Sequence, residues 1–93
     1  MQRGMGVTVI NDKTRGTVIA FNPKRSLGAV KIHGGDYCYM EFLGSEPEPG
    51  DVLMGNFESL GGKTVFNETR QINMEVFIED YHMPRDLALE KIR

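Results

Sequence analysis

The chain has a single cysteine, no tryptophan and only four prolines among its 93 residues. Cys38 has no second cysteine with which to form an internal disulfide, so we expect a reducing, cytoplasmic setting. No stretch approaches the roughly 20 consecutive apolar residues of a membrane-spanning helix. The N-terminus also lacks the apolar core of a signal peptide. The hydrophobic fraction of 40% and the charged fraction of 26% are ordinary for a globular protein, which predicts one folded domain over residues 1–93.

The sequence also lacks the side-chain sets that catalysis and metal binding require. Its two histidines, His33 and His82, are far apart in the chain, and neither has a nearby nucleophile with a positioning carboxylate. Adding Asp36 and Cys38 to the histidines gives a spacing that matches no zinc site. The glycine pair at 61–62 is predicted to form a turn, because no helix follows it as in a phosphate loop. We therefore expect no enzymatic activity, no metal and no cofactor.

Charge is distributed unevenly along the chain, although the net charge is only −2 at pH 7. The first 33 residues carry six basic groups against Asp12, whereas residues 34–83 carry ten acidic groups against Lys63 and Arg70. Such a distribution permits a local basic patch that attracts phosphate. The alternative is that solvated loops and faces simply differ in sign, and charge alone favours this alternative.

Short runs of alternating apolar residues, separated by glycine, proline and asparagine, dominate the sequence and predict strands. The predicted strands cover residues 16–21, 27–32, 37–43, 51–59, 63–66 and 72–81, with a possible additional strand at 7–10. A short helix is predicted over 84–92, with Pro84 at its start. This pattern is typical of an all-β sandwich or closed barrel.

Within these strands, alternation assigns side chains to two faces. Val30 and Ile32 are predicted to face inward, with Leu27, Ala29 and Lys31 opposite.

In the next strand, Cys38 and Met40 share the inward phase, whereas Tyr37, Tyr39 and Glu41 lie opposite. The two tyrosines could stack on a ligand, or they could be ordinary strand tyrosines, since aromatic residues are enriched in strands.

Three segments carry a resemblance to a known family. Residues 16–22 are Gly-Thr-Val-Ile-Ala-Phe-Asn, residues 25–30 are Arg-Ser-Leu-Gly-Ala-Val, and residues 38–42 are Cys-Tyr-Met-Glu-Phe. Together they resemble the first three strands of a cold-shock domain. The resemblance covers residues 16–45 and, more weakly, extends to residue 66. It implies a small five-stranded antiparallel barrel of the OB type, which here would have an extra C-terminal strand and a short terminal helix. Residues 1–14 would then form an N-terminal arm and 72–93 a C-terminal extension.

The resemblance also implies a function, namely weak and largely sequence-nonspecific binding of single-stranded RNA or DNA. In that family, aromatic side chains stack on unpaired bases while nearby cations neutralise the backbone. The residues carried over to this chain are Phe21, Tyr39 and Phe42 for stacking, and Lys24, Arg25 and Lys31 for phosphate contacts.

Four positions depart from the family pattern. Ala20 stands in place of a tryptophan, Leu27 and Ala29 in place of phenylalanines, and Glu41 in place of a histidine. An apolar, non-aromatic face is better suited to packing against protein than to stacking bases. The alternative prediction is therefore a protein-interaction or dimerisation module, in which the C-terminal extension covers the nucleic-acid face or pairs with a second copy.

Overall fold

Six strands and one helix follow one another along residues 14–93, which are the residues that the structure, a computed structural model, describes. The predicted strand at 7–10 and nearly all of the N-terminal arm lie outside the described residues. The elements are β1 (Thr14–Asn22), β2 (Leu27–Ile32), β3 (Tyr37–Phe42), β4 (Val52–Gly55), β5 (Gly61–Asn67), β6 (Ile72–Met83) and α1 (Arg85–Ile92).

The strands form a closed antiparallel barrel in the order β1-β2-β3-β6-β5-β4, which confirms the predicted all-β barrel class. The number of barrel strands differs from the expected five, because β6 pairs with β3 on one side and with β5 on the other. The predicted extra strand is therefore part of the barrel wall. As a wall strand, β6 buries its inward residues Met74, Val76 and Ile78 in the barrel interior, which stabilises this arrangement.

Alternation along the strands determines which side chains fill the barrel. Val30 and Ile32 face the interior as predicted, and so do Cys38 and Met40. The buried core cluster consists of Val18, Val30, Ile32, Cys38, Met40, Phe42, Leu53, Phe57, Val65, Met74, Val76 and Ile78. A small barrel filled in this way has a packed interior and no channel.

The segment between β4 and β5 differs from the prediction. The strand expected over 51–59 ends at Gly55, and Phe57 turns into the barrel, where it is fully buried. The glycines at 61–62 belong to β5 and do not form a turn. Gly16 lies beside this ring and makes room chiefly for Val30, since a Cβ at Gly16 would lie 2.6 Å from Val30 Cγ1 and 3.4 Å from the Phe57 ring. Burial of a large aromatic ring thus ends the strand early.

The helix α1 creates a second, smaller core on the outside of the barrel. Its buried residues are Leu27, Ala29, Met83, Ala88 and Ile92. Near the end of β6, His82 has a positive φ of 59°, and Pro84 alone separates the strand from the first helical residue. A helix of eight residues has little stability by itself, so its packing on the barrel maintains it.

Candidate interaction surface

The helix covers the face on which the resemblance places base stacking. Leu27 and Ala29 point outward from β2, but they are only 8% and 0% exposed because Ala88 and Ile92 pack on them. Tyr39 contacts the same cluster from β3 and is half-buried. The outer faces of β1, β2 and β3 are therefore in contact with protein over much of the area that single-stranded nucleic acid would occupy.

Two of the predicted stacking residues lie on the inner side of the wall. Phe42 is 4% exposed and belongs to the core, so the expectation that its ring lies on the surface is corrected. It shares the inward phase of Cys38 and Met40. Phe21 is half-buried and packs edge-on against Phe42, with ring centroids 5.8 Å apart. A bulge between Val18 and Ala20 shifts the alternation of β1, which turns Phe21 inward.

Of the predicted stacking residues, Tyr39 is the one that packs on the outer side of the wall. It borders a cleft of about 470 Å³ whose lining also includes Arg25, Glu41, Glu79 and Lys91. Burial, together with nearby Glu79 and Asp80, raises the pKa of Tyr39, while Arg25 acts in the opposite direction. The cleft thus places two cations against two carboxylates.

Hydrogen bonds within the protein engage two of the three predicted phosphate ligands. The Nη1 atom of Arg25 donates to the carbonyl oxygens of Lys91 and Arg93 at the end of α1, at 3.4 and 2.5 Å. The Nζ atom of Lys31 donates to the carbonyl oxygens of Ile32 and Gly35, at 3.0 and 2.6 Å.

Lys24 is exposed in the turn between β1 and β2, where its backbone N–H donates to the side chain of Asn22. Lys31 also lies over the ring of Tyr37, 5.5 Å from its centroid. Of the three predicted cations only Arg25 lies beside Tyr39, while Lys24 is in the turn before β2 and Lys31 is bonded to the turn after it.

A second surface, on the outside of β3, β6 and β5, adjoins this cleft through Glu41 and Glu79 and combines apolar and acidic side chains. We call it the acidic face. Phe77, which is 42% exposed, lies at its centre, paired with Glu41 of β3 on one side and with Gly62 of β5 on the other. The acidic face consists of Glu41, Leu43, Gly62, Glu75, Phe77, Glu79 and Asp80.

The sequence indicates which side chains of the last strand share one side of the sheet. It does not indicate which residues of the other strands lie beside them. Alternation alone assigns Glu75, Phe77 and Glu79 to one side of the last strand. That Glu41 and Gly62 flank Phe77 depends on the pairing of β6 with β3 and β5, and pairs this distant in sequence carry no local signal.

The reactive side chains of the described residues are dispersed. Burial raises the pKa of Cys38 to about 12, so the thiol remains protonated at neutral pH. His33 lies 2.9 Å from the Thr17 hydroxyl, whereas His82 is 3.2 Å from a carboxylate oxygen of Glu58. Within residues 14–93 no group of three or more His, Cys, Asp or Glu side chains has the arrangement of a metal site.

The helix α1, with its eight residues, is far shorter than a membrane-spanning helix, and no longer helix occurs within residues 14–93. Comparisons with protein-family models, with curated proteins and with solved structures found no match.

Proposed function

We propose that the protein is a non-enzymatic protein-interaction module, built on a barrel whose nucleic-acid face is occupied by its own C-terminal helix. The observation that carries this proposal is the burial of Leu27 and Ala29 beneath Ala88 and Ile92. Base stacking needs rings with exposed faces. On this barrel the corresponding area instead packs apolar side chains against a helix.

The distribution of charge supports the same proposal. A site for single-stranded nucleic acid needs free cations along the path of the backbone. Here Arg25 binds the carbonyl oxygens at the end of α1, and Lys31 binds those of the turn after β2. In the adjoining cleft, Glu41 and Glu79 offset the charges of Arg25 and Lys91, which leaves no excess of positive charge to attract phosphate.

An exposed apolar surface supports a protein partner. Single exposed apolar residues are normal, whereas an aromatic ring grouped with other apolar side chains is typical of interaction sites. Phe77 is 42% exposed and Leu43 is 52% exposed on the same outer face. A reducing, cytoplasmic setting is part of the proposal, since a lone buried cysteine is suited to it.

The experiment is a nuclear magnetic resonance titration of the whole chain with oligothymidine at low salt. We expect the amides of residues 21–42 to remain unshifted with protein near millimolar concentration. Shifts that cluster at Lys24, Arg25 and Tyr39, and that disappear as salt is added, would overturn the proposal and establish nucleic-acid binding instead. A variant with Lys24→Gln serves as the control for nonspecific attraction to the exposed turn.

A further inference from the structure

We propose that the acidic face binds an extended, cationic segment of a partner protein, with one apolar side chain of that segment seated against Phe77 above Gly62. This inference rests on the proposed protein-interaction function and specifies the surface and the chemistry of its partner. The observation behind the inference is the register of β6 with its two neighbouring strands, β3 and β5.

The register leaves a gap beside Phe77. Phe77 pairs with Glu41 in β3 and with Gly62 in β5. Gly62 has no side chain, and a Cβ built there meets no atom within 4 Å. The β5 side of the Phe77 ring is therefore open. The space fits an apolar side chain from a second molecule, because cross-strand neighbours on a sheet normally provide that contact.

Acidic side chains surround the gap, and none of them forms an ion pair within residues 14–93. Arg25 and Lys91 line the cleft beside Glu41 and Glu79, whereas Glu75 lies outside that cleft. Glu75 and Glu79 flank Phe77 along β6. Glu75 is a diagonal neighbour of Glu41, for which the usual spacing is about 7–8 Å, and Glu79 lies at the bulge, where it lines the cleft together with Glu41. Within residues 14–93 the ion pairs that form involve other carboxylates, those of Asp51, Glu58 and Glu68.

Glu75 accepts a hydrogen bond from the Thr64 hydroxyl at 2.7 Å, which holds its carboxylate on the same face. Asp80 adds a further acidic group opposite Tyr39 at the bulge of β6. Like charges grouped on one face destabilise the free protein, and a cationic partner removes that repulsion.

The charges decide among the possible occupants. A nucleic acid is repelled because its phosphates would meet Glu41, Glu75 and Glu79. A second copy of the chain using the same face would bring two sets of these carboxylates together, which is also unfavourable. A protein segment that alternates basic and apolar residues provides both the cations and the single apolar side chain. An extended segment matches the alternation of the strand beneath it.

The test uses two acetylated synthetic peptides of equal length, one alternating arginine and leucine and the other alternating glutamate and leucine. We expect the cationic peptide to shift the amides of residues 41–43, 62–64 and 75–80 in a magnetic resonance titration. The affinity should fall as sodium chloride is added, because exposed charges are screened. The acidic peptide, which has the same apolar content, should cause no shifts.

Three variants examine the geometry. Phe77→Ala is expected to weaken binding about tenfold, as loss of a central aromatic contact does. Gly62→Lys places a cation in the open gap and is expected to abolish binding, while the free space around Gly62 allows the barrel to fold. The control is Leu87→Ala, which removes a leucine of similar exposure (39%) that belongs to α1 and not to the strands that form the acidic face. This control should bind as the unaltered chain does.

The outcomes separate this inference from the proposed function. If the cationic peptide shifts residues of α1 or β2 instead, or binds Phe77→Ala equally well, the acidic face is the wrong surface although a protein-binding module remains. If neither peptide causes shifts at millimolar concentration, the inference is overturned. If oligothymidine binds while both peptides fail, the proposed function is overturned as well.

Discussion

Replacing Ile92 by alanine tests whether the apolar contacts between α1 and the barrel stabilise the fold. Ile92 is 5% exposed and packs in the cluster with Leu27, Ala29 and Met83. The substitution removes about three methylene equivalents, each worth about 0.8 kcal/mol when buried. Because the end of α1 can shift towards the barrel and leave little cavity, we expect a loss near the lower end of the usual range for Ile→Ala, about 2 kcal/mol.

The assay is equilibrium urea denaturation followed by far-ultraviolet circular dichroism. The matched control is Leu87→Ala in the same helix, since Leu87 is 39% exposed and alanine and leucine are both good helix formers. We expect the control to lose less than about 0.5 kcal/mol. If Ile92→Ala and the control have equal free energies of unfolding, the helix is not held by its apolar contacts, and the proposed cover is wrong.

A charged residue at position 92 should expose the apolar outer face of the barrel that α1 covers. Ile92→Asp would place a carboxylate among Leu27, Ala29 and Ala88, and we expect α1 to detach while the separate core cluster keeps the barrel folded. The exposed apolar face should then bind a hydrophobic dye or shift the mass measured by light scattering. A monomer without dye binding, in a chain whose helix signal is lost, would contradict this expectation.

The remaining predictions concern titration and reactivity. The hydrogen bond from Arg15 is the largest cause of the lowered pKa of Glu68, so Arg15→Gln should return that pKa towards its ordinary value of 4.5 in a magnetic resonance titration. Since the folded-state pKa is the lower one, the pair stabilises the fold above pH 4.5. The difference in stability between Arg15→Gln and the unaltered chain should therefore disappear as the pH falls through the folded-state value. Cys38 should resist iodoacetamide in the native protein and react only when urea unfolds it, because burial keeps its thiol protonated; rapid native labelling would contradict this. Arg25→Gln should raise the pKa of Tyr39 further by removing the nearby cation, as measured by ultraviolet absorbance, and an unchanged value would contradict the assigned cause.

The strands that carry the resemblance could be predicted from local sequence alone. The predicted strand over 27–32 has the same bounds as β2, and the one over 37–43 exceeds β3 by one residue. In β3 the inward and outward residues alternate cleanly, and in β2 the inward Val30 and Ile32 are two residues apart. Turn residues end both runs, so the local signal and the tertiary structure agree. The strand predicted over 51–59 was too long because the burial of Phe57 depends on the barrel interior, which no local pattern reports.

The candidate site was harder to predict, for two physical reasons. Phe42 lies in the same phase as Cys38 and Met40, so alternation alone indicated an inward ring, whereas the family motif placed it among the surface aromatics. For Phe21, alternation itself gives the wrong side of the strand. Its inward orientation follows from the bulge between Val18 and Ala20, and a bulge changes the phase of a strand without leaving a mark in the sequence.

The departures from the family pattern and the position of α1 have a common physical explanation. Ala20, Leu27 and Ala29 stand where the pattern has large aromatic rings, and all three belong to or contact the cluster beneath the helix. Rings at these positions would project outward and hold the helix away from the barrel. Small and aliphatic side chains let Ala88 approach closely enough to become fully buried. Residues that would be poor stacking platforms are therefore the ones that let the helix dock. The inward-facing residues that build the barrel are unaffected by what covers its outer face.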